Sequence, residues 1–109
     1  MNYSHKELAA GKWEKLSLAE QMANIGSEVE RAINWRTKNN PEYSRLAFER
    51  ALELLDLTLS CNHVFPRLKE LARLREVLAD FFVFNNNYRS TETDLKNYFF
   101  AFNYAARAH

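Results

Sequence analysis

The sequence predicts an all-α chain folded as an up-down antiparallel bundle of four helices, and three observations lead there. Apolar residues recur at spacings of three and four along four separate stretches, the period of a helix with one buried face. Only two glycines and two prolines occur in 109 residues, which leaves little room for tight β-turns. The breaks between the stretches are short, and short connections between long helices favour antiparallel neighbours. The chain divides into an N-terminal arm over 1–16 and a single bundle domain over 17–109.

In the arm, Ser4 and Glu7 have capping-box spacing and Gly11 is a natural helix stop. Ser17 and Glu20 repeat that box at the head of the first long helix, whose core stripe is Leu18, Met22, Ile25, Val29 and Ile33. Ala19, Ala23 and Gly26 form a smooth flank beside it. Mid-helix glycine costs about 1 kcal/mol against alanine, so close approach of another backbone is the reason expected for Gly26.

Asn39-Asn40-Pro41 ends this helix and begins the second, with Asn40 as N-cap and Pro41 in the first helical position. From Pro41 to Leu59 the pattern carries too many apolar faces for one seam. Phe48, Ala51, Leu52, Leu55 and Leu59 share a stripe that Ala47, Leu54 and Thr58 widen. Leu46 and Leu57 stand on the far flank, with Arg50 between them and Leu54. Only Glu42, Arg45, Glu49, Glu53 and Asp56 make a polar strip. A helix apolar nearly all round is central in its domain or covered by a second chain, and a chain this short implies the second chain.

Ser60 to Phe65 reads as a loop, and Pro66 opens the third helix. Leu68, Leu71, Leu74, Leu78, Phe81 and Phe82 share its inner face, with Lys69, Arg73, Glu76 and Asp80 opposite. Asn85-Asn86-Asn87 is a second breaker, because asparagine tolerates the left-handed conformation of a helix end. Thr91 and Asp94 cap a fourth helix with a core stripe of Leu95, Tyr98, Phe99, Phe102 and Ala106. Phe100 and Tyr104 project from its back as an apolar patch, a mark of partner surfaces.

Composition narrows the function classes. Net charge is +1, so no overall field draws the chain to nucleic acid or an anionic membrane. The longest apolar run is broken at Asp80, and nothing is long enough to span a bilayer. The first twelve residues hold no apolar leader core, and the single cysteine, Cys61, fits a reducing compartment. A cytoplasmic location is therefore expected.

No catalytic constellation emerges. His5, His63 and His109 lack the one-turn spacing of helical metal ligands. Cys61 and His63 offer two ligands where a closed zinc site takes four. Glu49, Glu53 and Asp56 have the spacing of magnesium-binding carboxylates in helical nucleotide hydrolases, but no second acidic pair faces them, and a solvated strip is the better reading. No cofactor or metal is expected. Arg31, Arg36 and Lys38 around Trp35, and Lys69 and Arg73 on the third helix, have the aromatic-plus-basic character of nucleic-acid contacts. Interspersed acids weaken that field. Arg50 and Arg75 fall at core edges, where a buried guanidinium needs a partner. Glu28 is the candidate on the first helix, and Glu53 or Asp56 on the second.

The strings Trp13-Glu14-Lys15-Leu16-Ser17-Leu18-Ala19-Glu20-Gln21, Asn24-Ile25-Gly26-Ser27-Glu28-Val29 and Glu49-Arg50-Ala51-Leu52-Glu53-Leu54-Leu55-Asp56 resemble a group of short, uncharacterised prokaryotic all-helical proteins. Arg67-Leu68-Lys69-Glu70 and Arg75-Glu76-Val77-Leu78 fit the same pattern. The resemblance implies a small helical protein and no catalytic residues.

The function these observations point to is a non-enzymatic, self-associating interaction module, a dimer first of all, with a different protein partner as a further option. Its expected surface is Leu46, Arg50, Leu57, Phe100 and Tyr104. An RNA- or DNA-binding bundle and a metal-dependent nucleotide hydrolase are the alternatives.

Overall fold

Ser17 starts the first long helix by a reciprocal exchange. Its hydroxyl accepts from the Glu20 N–H at 3.1 Å, and the Glu20 carboxylate accepts from the Ser17 N–H at 2.8 Å. In this computed structural model, which describes residues 11–61 and 64–107, four helices follow: α1 (Leu18–Thr37), α2 (Pro41–Cys61), α3 (Phe65–Phe82) and α4 (Glu92–Arg107). A 3-10 turn over Trp13–Lys15 precedes them. No strand occurs among the described residues. The Ser4–Glu7 box lies outside those residues. Gly11, at its edge, takes a φ of 119°, which other residues rarely adopt.

The asparagine breakers work as their chemistry predicts. Asn39 takes a left-handed φ of 61°, its N–H donates to Arg36 O, and the Asn40 N–H donates to Trp35 O. That pair of bonds closes α1 as a Schellman turn. Asn40 then caps α2, its side-chain oxygen accepting from the Tyr43 N–H at 3.1 Å. Thr91 and Asp94 form the same reciprocal box as Ser17 and Glu20. The loop expected at Ser60–Phe65 is shorter than predicted, since Ser60 and Cys61 continue α2 and Phe65 already belongs to α3. The Ser60 hydroxyl donates back to Leu57 O at 2.8 Å, so it joins the last turn instead of ending it.

The fold is an up-down antiparallel four-helix bundle. Ser44 meets Ala32 near one end of the α1–α2 pair, and Trp13 meets Thr58 near the other. Asp56 pairs with Arg75, and Phe48 packs on Phe82, which sets α3 antiparallel to α2. Tyr98 reaches Glu70 across the α3–α4 side. The closest helix packing is of α2 and α4 onto α1, with α3 lying against the other side of α2. Between α3 and α4 only long side chains close the bundle, leaving an apolar groove of about 250 Å³ bounded by Leu74, Val77, Leu95 and Tyr98.

Core assignments differ from expectation on α2, in the arm and on α3, and the predicted stripe residues Leu18, Leu68, Phe82, Tyr98, Phe102 and Ala106 are half-buried. Leu54 and Thr58, predicted at the margin of α2, are buried, while Leu52 and Leu59 are only half-buried. The reason is that α2 has neighbours on two sides and Trp13 over its C-terminal half. Trp13 itself, within the predicted arm, is fully buried; its indole N–H donates to Thr58 Oγ1 at 3.0 Å, and its carbonyl accepts from Gln21 Nε2 at 2.8 Å. Asp80, expected on the solvent face of α3, is buried. Its two carboxylate oxygens accept from the N–H groups of Asn87 and Tyr88 at 2.8 and 2.9 Å, tying the α3–α4 loop to the end of α3.

Candidate interaction surface

Packing density falls along α4. Leu95 and Phe99 are buried, but no residue from Phe100 to Arg107 is. The cause lies in α1, where Gly26 lets α4 come close: a Cβ added there would lie 2.7 Å from Phe99 Cβ. Beyond that contact the helix offers α1 only half-buried residues, Phe102 among them. Phe100 and Tyr104 are 68% and 70% exposed, where the sequence placed them. Beside Phe100 is a hollow of about 130 Å³ formed by Gly26, Ser27 and Glu30 of α1 with Lys96, Phe99 and Asn103 of α4. Glu30 and Lys96 were not singled out from the sequence. The signal was available for Glu30, which stands one helical turn beyond Gly26 on the same face.

The other three residues of the predicted surface are placed differently. Leu57 is half-buried against the chain's own core, so part of the far flank of α2 is covered from within. Leu46 is 37% exposed. Arg50 is turned to α1, where its Nε donates to Glu28 at 3.3 Å, and Glu28, with only 12% of its side chain exposed, also pairs with Arg31 at 3.1 Å. Of the candidate partners, Arg50 thus takes Glu28, at a partly buried position. Arg75, anticipated as a buried ion, is instead half-exposed and pairs with Asp56 through Nε at 2.8 Å. Position 75 lies at the rim of the α2–α3 contact, where a long side chain reaches solvent. The Asp56 hydrogen bond holds the Arg75 guanidinium above its ordinary pKa.

The basic residues do not gather into one face. Arg31, Trp35 and Lys38 share a side of α1, where Trp35 packs edge-on against Tyr43 at 4.9 Å and Lys38 Nζ lies 5.3 Å from the indole centre. Arg36 points to α3, donating to Phe81 O at 3.2 Å and stacking over the Phe81 ring at 4.7 Å. Arg73 lies over Tyr88 at 5.4 Å, and Lys69 is exposed one turn away on α3. Among the acids, Glu49 pairs with Arg45 and Asp56 with Arg75. No group of three or more His, Cys, Asp or Glu that could hold a metal ion occurs among the described residues. His5, His63 and His109 lie outside them.

Tyr98 is the titratable group with the clearest perturbation. Burial raises its pKa, and the hydrogen bond from its hydroxyl to Glu70 at 3.0 Å raises it further. The pair bridges α3 and α4 as a structural clasp. No helix among the described residues is long and apolar enough to cross a membrane. No family model matches the chain, and neither a curated protein nor a solved structure is similar to it.

Proposed function

We propose that the chain is a non-enzymatic interaction module that self-associates as a dimer through the outer face of α4. The observation that carries this reading is the unburied run from Phe100 to Arg107, whose outer side holds Phe100 and Tyr104, each more than two-thirds exposed. Exposed rings on one side of a helix are costly in water and valuable in contact, since aromatic side chains dominate interface energetics. A two-fold contact needs a patch that carries its own complement. Here protruding rings lie next to a hollow of about 130 Å³ with apolar walls from Val29 and Phe99 and polar ones from Ser27, Glu30, Lys96 and Asn103. The same face carries Glu30 with Lys96 and Arg107, so two copies can meet with opposite charges opposed.

Leu46 is a weaker candidate because it is only 37% exposed and Leu57, its companion on that flank, packs against the chain's own core. Cys61 has no disulfide partner within the chain, which supports a reducing, cytoplasmic setting for the module. Directed cross-linking tests the reading. In a Cys61→Ser background, Phe100→Cys and Tyr104→Cys should oxidise to linked dimers at micromolar protein, whereas Glu49→Cys, exposed on α2, should not. Equal linking at all three positions, or none at 100 and 104, contradicts it.

A further inference from the structure

Three helix ends converge on one hollow of about 400 Å³, built by Arg36 at the end of α1, Pro41, Arg45 and Phe48 at the start of α2, and Phe82 and Val83 at the end of α3. Its chemistry is one-sided. Two guanidinium groups line it and no carboxylate does. Phe48 and Phe82, with ring centres 5.1 Å apart, give it an apolar floor that Val83 and Pro41 extend.

The negative helix ends nearby are already met. Arg36 donates to Phe81 O at the end of α3, and the Asn39–Asn40 turn closes α1. The start of α2 is met as well, by the Asn40 cap and by Glu42 in its first turn, so the charge of the hollow rests on its two arginines. A guanidinium carries five N–H donors. The hydrogen bonds of Arg36 and Arg45 within the described residues are one to Phe81 O and one to Glu49. Both heads therefore keep donors for a ligand, and Arg36 is held in position by its bond to Phe81 O and its stacking on Phe81.

We infer that this hollow binds a small amphiphilic carboxylate, its head between Arg36 and Arg45 and its hydrocarbon body on Phe48, Phe82 and Val83. A planar carboxylate matches the fork of an arginine, and an apolar body lets the ligand exclude water from that pairing. The site lies apart from the α4 face, so it stands or falls independently of the dimer.

Octanoate is the probe, followed by amide chemical shifts of the whole chain. Saturable shifts at Arg45, Phe48 and Val83 are the expected result, with acetate and octylammonium giving none. Arg45→Gln should weaken octanoate about tenfold. Val83→Asp, at an exposed position, should weaken it further by placing a carboxylate beside the ligand. Arg45 is chosen over Arg36 because its side chain makes no contact that the fold needs, and Arg45→Lys should recover part of the affinity. The inference is overturned if octanol binds as well as octanoate, if Arg45→Gln leaves the affinity unchanged, or if the shifts centre on Val77 and Tyr98 in the α3–α4 groove.

Discussion

Trp13 donates its indole N–H to Thr58 Oγ1 at 3.0 Å across forty-five residues of sequence, and the Thr58 hydroxyl in turn donates to Leu54 O at 2.9 Å. All of this is buried, so the bond is one the fold cannot leave half-made. Thr58→Val keeps the shape but strands the indole N–H, which should cost about 1–3 kcal/mol. Deleting residues 1–16 removes the ring as well, and loss on the scale of a buried Trp→Ala change, about 3–5 kcal/mol, is expected. Urea unfolding of both variants checks this. A truncated chain as stable as the parent would return Trp13 to a dispensable arm.

Gly26 gives a prediction of opposite sign to helix propensity. Alanine in a helix interior is favoured over glycine by about 1 kcal/mol. At this site its Cβ would fall 2.7 Å from Phe99 Cβ and 2.9 Å from Phe99 Cγ. The near atom is the root of the side chain, so no rotamer change relieves it and α4 must move. Gly26→Ala should therefore destabilise, on the order of 1–3 kcal/mol, measured by the same unfolding midpoint.

These two residues also show where sequence reading succeeds and where it stops. Caps are local, so Ser17 with Glu20, Asn40 with Pro41, and Thr91 with Asp94 were all legible from spacing alone. Gly26 was legible because a mid-helix glycine needs a reason, though its partner Phe99 was not. Trp13 escaped because it belongs to no periodic helix and gains its place from Thr58 of α2 and Gln21 of α1. Asp80 escaped for a related reason. Helical spacing put it opposite the core, while its role comes from the loop folding back onto it. The surplus apolar flank of α2 implies a second chain over Leu46 and Leu57, yet Leu57 packs against the chain's own core. The exposed Phe100 and Tyr104 were visible from the helix face they occupy, whereas the hollow beside them needs two helices to exist.

Asp80→Ala should release the α3–α4 loop without unfolding the bundle. Two backbone N–H groups lose an ionised acceptor, each bond of a kind worth about 1.5–3 kcal/mol. Amide hydrogen exchange at Asn87 and Tyr88 should accelerate well beyond that of the α1 core, where Ile25 and Val29 report. Unchanged protection at 87 and 88 would remove Asp80 from this role.

Tyr98 sets an alkaline limit. Its folded pKa lies above the unfolded value of about 10 because burial and Glu70 both favour the neutral phenol. The unfolded chain then loses this proton first, so the stability that Tyr98 contributes is complete below that unfolded value. It declines as pH rises toward the folded one. Stability profiles from pH 8 to 12 should fall more steeply for the parent than for Tyr98→Phe. Parallel profiles would show that the clasp does not favour the neutral phenol.

The self-association of the α4 face is the central claim, and sedimentation equilibrium of the parent beside Phe100→Ser with Tyr104→Ser tests it most directly. Both side chains are more than two-thirds exposed, so the double variant should keep the parent's helicity and melting behaviour at low concentration. The parent should sediment at twice the 12.9 kDa chain mass and the variant at that mass itself. Leu46→Glu should sediment as the parent does. A parent that remains a monomer at high concentration, or a double variant that stays dimeric while Leu46→Glu dissociates, contradicts the account.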